Sequence, residues 1–386
     1  MRHLDDIIPQ EDTTSGPARS WHLFSSRPDS ATPKKEFSQE EFSLRRRLLN
    51  WRTLLPLAIA ITVLIFAGKK LDLHPDQIVA AIRTSNPWFF VLAFIIYYGS
   101  FPVRSLRWQV LLANVGFHRA HGDLPSYPKL TEILYISWFA NTVVPAKLGD
   151  FYRAYLLKQA KGVSATRTYG TILAERILDL TVLLTLFIPA ALVSLHQRMP
   201  APLEFGLRIT LILVGILIAF LFLLRLYHRQ IGRIIPARLR PMYHQFQEGT
   251  LGSYKRMPRL LGLTVLVWLL ESARFYIIAL SLHIFGSMTL GSAAIAAIFI
   301  ALGESLLTTV PATSGGVGVV EFGMLGMLLL FTSSRSTASA AIILDRVISL
   351  ISIMVLGFLL FVIYSVWQSG NAAPEVHRLE PDVPTA

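Results

Sequence analysis

Charged side chains interrupt several of the apolar segments of this 386-residue chain. A charge at the centre of a helix in lipid costs roughly 2.5 to 3.5 kcal/mol on insertion scales, so such residues are expected to pair or to line a polar site. Arginine suits a polar site because its guanidinium binds phosphate oxygens through two parallel hydrogen bonds. The residues concerned are Glu175, Arg176, Asp179, Glu271, Arg274, Glu304, Glu321, Asp345 and Arg346.

These charged residues have two interpretations. In the first, each acid neutralises a nearby arginine and only holds helices together, as the shared helix face of Glu175, Arg176 and Asp179 permits. In the second, the arginines line a polar cavity and hold an anionic group such as a lipid phosphate. The charges recur at symmetric places along the chain, and this favours the second interpretation because pairing between helices needs no symmetry.

Two similar motifs break apolar runs, 142-TVVPAKLGDFYR-153 and 309-TVPATSGGVGVVE-321. Proline removes a backbone donor and breaks a helix, and glycine allows left-handed backbone beyond the break. In the second motif the glycines open an apolar helix whose free N–H groups could receive an anion. The predicted turn residues are Pro145, Gly149, Asp150, Pro311, Gly315, Gly316 and Gly318.

The elements that position these residues are helices in a membrane. The chain is 53% hydrophobic and 16% charged, and its apolar residues form segments about as long as a bilayer is thick. The alternation typical of a transmembrane barrel does not appear. The sequence predicts an all-α, polytopic membrane protein with apolar segments near 53–68, 87–103, 168–195, 205–224, 260–284, 289–310, 316–331 and 338–367.

The basic residues predict how the segments cross. With the cluster at 45–52 in the cytoplasm, a full crossing by 130–146 would place the basic loop that follows it outside, against the positive-inside rule. If 130–146 turns back, that loop and the basic linker 225–259 both lie inside. We therefore predict about six full spans, two re-entrant helical hairpins, and both termini in the cytoplasm.

Three matches in the same order predict an internal repeat. Residues 105–108 align with 272–275, Pro145 aligns with Pro311, and 175–176 align with 345–346, at offsets of 167, 166 and 170 residues. An odd number of crossings between the two copies inverts the second. Inverted repeats with broken helices near the midplane are typical of secondary transporters.

The repeat and the composition together predict the domain organisation. The polar ends read as disordered tails, and the linker reads as an interfacial helix on anionic lipid. The predicted regions are a cytoplasmic tail at 1–50, a first span and loop at 51–86, membrane repeats at 87–196 and 258–367, a connecting span and basic linker at 197–257, and a tail at 368–386.

Several other classes of chemistry find no support in the sequence. There is no cysteine, and there is no Walker-type phosphate loop for ATP hydrolysis. His118 and His121 lie in a loop without further clustered ligands, so we predict no metal and no cofactor. The net charge of +12 comes from tails and short loops beside apolar segments, which indicates topology and lipid contacts rather than nucleic acid.

At these motifs the chain resembles the lysylphosphatidylglycerol synthase transmembrane region, also called flippase-like or UPF0104 membrane proteins. The resemblance covers about 53–367 and rests on Asn141, Pro145, Ala146, Gly149, Asp150, Arg153, Glu175, Arg176, Asp179, Pro311, Ala312, Gly315, Gly316, Gly318, Glu321 and Arg346. In bifunctional members this kind of domain is thought to move an aminoacylated phospholipid between leaflets, and a separate soluble domain makes that lipid. About 19 residues follow the last predicted span, so the resemblance implies translocation without synthesis.

The leading hypothesis is a lipid translocator of the bacterial inner membrane. The resemblance implies an anionic or aminoacylated phospholipid, a hopanoid or a glycolipid as cargo, and a separate lipid-synthesising enzyme as partner. The alternatives are a membrane-embedded transferase with Glu175 or Glu321 as base, and a small-anion transporter. The predicted substrate-binding residues are Arg107, Asn141, Arg153, Glu175, Arg176, Asp179, Glu271, Arg274, Glu304, Glu321, Asp345 and Arg346.

Overall fold

Helices form every regular element in the part of the chain that the computed structural model describes. It describes residues 75–143, 148–195, 240–286, 288–309 and 316–360, with the isolated positions 212, 215, 236 and 238. The predicted all-α class is confirmed over these residues. The helices are α1 Pro75–Thr84, α2 Pro87–Asn114, α3 Tyr127–Val143, α4 Gly149–Lys161, α5 Ala165–Ser194, α6 Arg240–Gly252, α7 Met257–Ser281, α8 Leu290–Thr309, α9 Val319–Leu328 and α10 Arg335–Arg346. A 3-10 turn at Arg119–His121 follows α2, and a π-helical turn at Val347–Ile351 continues α10.

Five helices are long and apolar enough to cross a membrane, namely α2, α5, α7, α8 and α10 with its continuation to Leu360. Four of them match the predicted spans that begin at 87, 168, 260 and 338. The predicted spans at 53–68 and 205–224 lie outside the described residues. We expected α8 to be one arm of a re-entrant hairpin, but its 20 residues extend about 30 Å at 1.5 Å per residue, which is enough to cross. The number of full spans therefore stays a prediction.

Side-chain caps fix where the two longest helices begin. Asn86 precedes α2 and accepts a hydrogen bond from the backbone N–H of Trp88 at 3.0 Å. Ser164 precedes α5 and accepts one from the backbone N–H of Arg167 at 3.2 Å. Such caps satisfy donors that a helix leaves free at its N-terminus. Gly162 ends α4 in the left-handed region, with φ of 68°, so a short connection suffices between α4 and α5.

Helices α2 and α7 pack along each other and run in opposite directions. Arg104 of α2 contacts Glu271 at 2.5 Å, and Arg107 donates to the Thr264 hydroxyl at 3.2 Å. At the end of α2, Asn114 donates to the backbone carbonyl of Ser253 at 2.7 Å, just before α7 begins. As the numbers rise along α2 they fall along α7, so the two helices are antiparallel.

Each proline-glycine motif lies between two helices that pack together, α3 with α4 and α8 with α9. Residues Pro145, Pro311 and Gly315 lie outside the described residues. Gly316 and Gly318 have φ of 73° and 91°, as predicted for glycines that follow a helix break. Gly149 differs, because it lies within the first turn of α4 and faces α3: a Cβ there would lie 2.2 Å from the Ser137 carbonyl oxygen.

We expect Gly149→Ala to destabilise the protein, because the added methyl group pushes α4 away from the backbone of α3. Overpacking of this kind costs about 1 to 3 kcal/mol, and more where backbone must move. Thermal unfolding in detergent measures the loss. Gly99→Ala in α2 is the matched control, because its Cβ meets nothing within 4 Å and alanine favours a helix interior. Equal melting temperatures for the two variants would contradict the packing argument.

Helix α6, the described end of the basic linker, docks on the start of α5. Gly249 makes this possible, since a Cβ there would lie 2.2 Å from the Arg167 carbonyl oxygen. Gln245 accepts a hydrogen bond from Ser164 at 2.7 Å, and Glu248 contacts the Arg167 guanidinium at 2.6 Å. The linker therefore includes a helix fixed to the bundle, and its predicted contact with anionic lipid stays a prediction.

Candidate functional site: two buried charge clusters

The first charge cluster comprises Arg107, Asp150, Arg153, Glu175, Arg176 and Asp179. Its centre is the Glu175 carboxylate, which contacts Arg107 at 2.7 Å and Arg153 at 2.8 Å through its two oxygens. Arg107 also contacts Asp179, one turn further along α5, at 2.5 Å. One carboxylate of α5 thus joins an arginine of α2 to an arginine of α4.

The other half of the first charge cluster connects α5 to the start of α4. Arg176 donates two hydrogen bonds to the Asp150 carboxylate, at 2.8 Å and 3.0 Å. Asn141 of α3 donates to the same carboxylate at 3.0 Å. Asp150 lies in the first turn of α4, where the positive end of the helix dipole favours a negative charge. The first motif therefore supplies an anion that orients the Arg176 guanidinium.

The second charge cluster comprises Arg104, Glu271, Arg274, Glu304, Glu321, Asp345 and Arg346. Its centre is the Arg274 guanidinium, which lies 2.7 Å from Asp345, 3.1 Å from Glu304 and 3.3 Å from Glu271. The same Glu271 receives Arg104 of α2 at 2.5 Å. One guanidinium of α7 thus contacts carboxylates from α7, α8 and α10.

The second motif contributes Glu321 to this cluster. Its carboxylate lies 2.8 Å from Arg346 Nε and accepts a hydrogen bond at 2.5 Å from the backbone N–H of Gly318. Glu321 therefore closes the N-terminus of α9 as in a capping box. The predicted anion-binding helix end is occupied by a carboxylate of the chain itself, and Arg346 is drawn to it.

A π-helical turn follows the Asp345–Arg346 pair, at Val347–Ile351. Its backbone is held by Tyr97 of α2, which donates to the Ser349 carbonyl at 3.2 Å. The Ser349 hydroxyl in turn donates to Asp345 at 3.3 Å. π-helical turns inside α-helices occur frequently at functional sites. The sequence carried no signal for this turn, and Tyr97 and Ser349 were not predicted as site residues.

Aromatic rings cover three arginines of the clusters. The Arg153 guanidinium lies 3.8 Å from the centre of the Trp108 ring, and that of Arg104 lies 4.5 Å from Trp138. The third is Arg274, which lies 5.3 Å from the centre of the Tyr97 ring. Such contacts stabilise a desolvated guanidinium by about 1 to 2 kcal/mol. Arg104 was not predicted as a site residue. Its alignment with Glu271 in the repeat, at the same offset as Arg107 with Arg274, was the signal that could have identified it.

The arginines of the two clusters differ in how far a ligand can reach them. The Arg176 side chain is 33% exposed, whereas Arg107, Arg153 and Arg274 are buried. Several buried guanidinium nitrogens, among them Nη2 of Arg153 and Nη2 of Arg346, receive no hydrogen-bond acceptor from the described residues. These N–H groups are unused donors beside paired charges, and they are chemically suited to an oxyanion.

All twelve predicted binding residues are among the described residues, and they lie in or beside the two charge clusters. The helices that carry them either are long enough to cross a membrane or pack on such helices. These features define a polytopic, helical membrane protein with an ionised interior. The chain belongs to the family of the lysylphosphatidylglycerol synthase transmembrane region, whose model matches residues 53–357. The resemblance read from the motifs is therefore confirmed.

Relatives with curated names come from archaea. A UPF0104 membrane protein of Methanocaldococcus jannaschii is 32% identical over 226 residues, which cover 58% of this chain and 94% of that protein. A UPF0104 membrane protein of Methanothermobacter thermautotrophicus is 24% identical over 350 residues, or 82% of this chain and 94% of its own length. Glycosyltransferase AglD of Haloferax volcanii is 27% identical over 140 residues, which cover 36% of this chain and 21% of that protein. A membrane location is supported, and the bacterial inner membrane stays a prediction.

Proposed function

We propose that this protein moves a polar-headed lipid between the two leaflets of its membrane. The observation that carries the proposal is the pair of adjacent charge clusters inside helices long enough to span a bilayer. An ion of head-group size faces a Born cost of order 20 kcal/mol in hydrocarbon. A groove of guanidiniums and carboxylates removes much of this cost while the acyl chains stay in lipid, so the task matches the chemistry.

The contacts of the two clusters support an inverted repeat. Arg107 pairs with Glu175 across α2 and α5, and the aligned Arg274 pairs with Asp345 across α7 and α10. Each motif then adds an acid of its second helix to the next arginine: Asp150 to Arg176, and Glu321 to Arg346. Because α2 and α7 are antiparallel, equivalent helices of the two copies would run in opposite directions. Alternating access in such transporters comes from the two copies exchanging conformations.

The clusters suggest how a head group is received. A lipid phosphate entering beside Arg176 meets the one arginine of the first charge cluster that is appreciably exposed. It competes with Asp150 for a guanidinium that already makes two parallel hydrogen bonds, the geometry that a phosphate also uses. Release of Asp150 frees the start of α4, so binding and helix movement are linked through one ion pair.

A transferase is the second candidate, and the similarity to a protein named as a glycosyltransferase favours it. A general base must be free to take a proton. Glu175 contacts two guanidiniums, and Glu321 is held by Arg346 and a backbone N–H. In both residues each carboxylate oxygen already contacts a donor of the chain, so we place this activity second.

Reconstitution tests the proposal directly. Purified protein in vesicles is given fluorescent phospholipid or glycolipid in one leaflet, and a membrane-impermeant quencher reports its arrival in the other. We expect protein-dependent movement for at least one of these lipids and none for free phosphate. Movement of free phosphate alone would favour a small-anion transporter, and a new lipid product by mass spectrometry would favour the transferase.

We expect Arg346→Lys to slow lipid movement by about tenfold, because a lysine cannot reproduce two parallel hydrogen bonds to a phosphate. The charge stays, so the pairing with Glu321 and the fold persist. Arg259→Lys is the matched control, since Arg259 lies exposed at the start of α7. The quenching assay measures both rates. A wild-type rate for Arg346→Lys would remove this residue from the binding site.

A further inference from the structure

Guanidiniums and carboxyls balance in the first charge cluster and do not balance in the second. The first has three arginines and three acids. The second has three arginines, which are Arg104, Arg274 and Arg346, against four acids, which are Glu271, Glu304, Glu321 and Asp345. The described residues therefore leave one negative charge uncompensated at a place where an unpaired charge is costly.

The surplus centres on Glu304 and Asp345. Glu304 and Asp345 are 4% and 0% exposed. Both contact the same Arg274 guanidinium, at 3.1 Å and 2.7 Å. Two buried carboxylates that face one guanidinium cannot both stay ionised at low cost, and such a pair commonly shares one proton.

The hydrogen bonding of Asp345 also favours a shared proton. Its Oδ1 atom is buried and accepts no hydrogen bond of good geometry from the described residues, while its Oδ2 atom accepts only the long bond from Ser349 at 3.3 Å. This Oδ1 atom lies 2.7 Å from Nη1 of Arg274 but out of line for a hydrogen bond, so it can still accept from a second donor. A proton held between the two carboxyls supplies a donor and neutralises the surplus charge at once.

The remaining charged groups around Glu304 do not supply the missing positive charge. Helix α7 contributes Glu271 and Arg274, α9 contributes Glu321, α10 contributes Asp345 and Arg346, and α2 contributes Arg104 with the Tyr97 hydroxyl. Helix α5 also packs on α8, but Glu175, Arg176 and Asp179 are engaged in the first charge cluster. Its remaining cation, Arg167, pairs with Glu248 of α6.

We propose that Glu304 and Asp345 form a proton-binding site, and that exchange of this proton couples lipid movement to a transmembrane proton gradient. Glu321 connects the site to the surface of the molecule, because its side chain is 17% exposed and it shares Arg346 with Glu304. Loss of the proton adds a negative charge beside Arg274 and Arg346, and this tightens their hold and weakens the affinity for an anionic head group. The coupling, unlike the proton site itself, rests on the proposed lipid movement.

Infrared spectroscopy tests the proton site without any transport. We expect a carboxyl C=O band, sensitive to exchange into D2O, in the wild-type protein at neutral pH. The band should disappear in Glu304→Gln and in Asp345→Asn, because either change leaves three acids for three arginines. Glu248→Gln is the control that keeps the band, since this carboxyl is 60% exposed at the surface. A wild-type protein without the band would overturn the proton site and would mean that a cation outside the described residues, such as Lys147, balances the fourth acid.

A pH gradient across the vesicle membrane tests the coupling. One pH unit sustains about a tenfold ratio of labelled lipid between leaflets at one proton per lipid, because 1.4 kcal/mol corresponds to a factor of ten. We expect this accumulation in the wild type and no accumulation against the starting distribution in Glu304→Gln. Lipid movement that is independent of the pH gradient in wild-type vesicles would refute the coupling, and the proposed lipid translocation would stand. An infrared band without lipid movement would instead refute the proposed function and with it the coupling.

Discussion

Replacing Arg274 by alanine is expected to prevent the protein from accumulating in its folded form. This one guanidinium contacts Glu271, Glu304 and Asp345, and its removal leaves three buried acids without their shared partner. Breaking a single buried ion pair costs about 3 to 5 kcal/mol, whereas a whole domain is stable by only about 5 to 15 kcal/mol. The yield of monodisperse protein in detergent and its melting temperature measure the effect.

Two further variants separate the charge of Arg274 from its shape. Arg274→Lys keeps a cation within reach of the acids and should recover much of the yield. Combining Arg274→Ala with Asp345→Asn and Glu304→Gln removes two of the orphaned charges and should recover part of it. If Arg274→Ala alone unfolded at the wild-type temperature, the second charge cluster would not contribute to stability as its contacts indicate.

The sequence allowed the acid-arginine pairs of single helices to be located, but it did not identify the partners on other helices. Spacing along a helix favoured contacts between residues three apart, and these contacts exist at 3.8 Å for Arg176 with Asp179. The shorter contact of Arg176 is at 2.8 Å with Asp150, on another helix. Side chains three apart share a helix face yet rarely point at each other, whereas a carboxylate on a facing helix can approach the end of a guanidinium directly. Which helix faces which depends on packing that one sequence does not contain.

The glycines of the two motifs illustrate the same limit. Glycines that follow a helix break predict a left-handed backbone, and Gly316 and Gly318 adopt that conformation. Gly149 looks identical in the sequence but is a glycine because α3 passes too close for any side chain. A backbone requirement can be read from local spacing, because it concerns the residue itself. A close approach between helices requires knowledge of the neighbour, and no pattern within the motif reports it.

The internal repeat was the most informative sequence signal, because it links residues far apart in the chain. It aligned Arg107 with Arg274, and both arginines contact two or more acids within the charge clusters. It missed the π-helical turn after Arg346, which has no described counterpart after Arg176, where α5 continues without interruption. Differences between the two halves are invisible to an argument from similarity, and the surplus acid of the second charge cluster is such a difference.

The pair of Asp150 and Arg176 provides the decisive test between a structural lock and a binding site. Each single neutralisation, Asp150→Asn or Arg176→Met, is expected to destabilise the protein by about 3 kcal/mol, the lower end for a broken buried pair because Arg176 is partly exposed. The double variant removes both charges at once. Replacing a buried ion pair by neutral residues of similar size is often harmless to stability, so the double variant should melt close to the wild-type temperature.

Lipid movement by this double variant then distinguishes the two interpretations. A lock contributes through folding alone, so a protein with restored stability would also regain the wild-type rate. A binding site loses the guanidinium that holds the phosphate, so the rate should stay reduced by about a hundredfold, the loss expected when one charged hydrogen-bonded partner worth about 3 kcal/mol is removed. The vesicle quenching assay on variants matched for melting temperature measures the rates. Because stability is held equal in this comparison, a wild-type rate in the double variant would assign the first charge cluster to structure and leave head-group binding to the second.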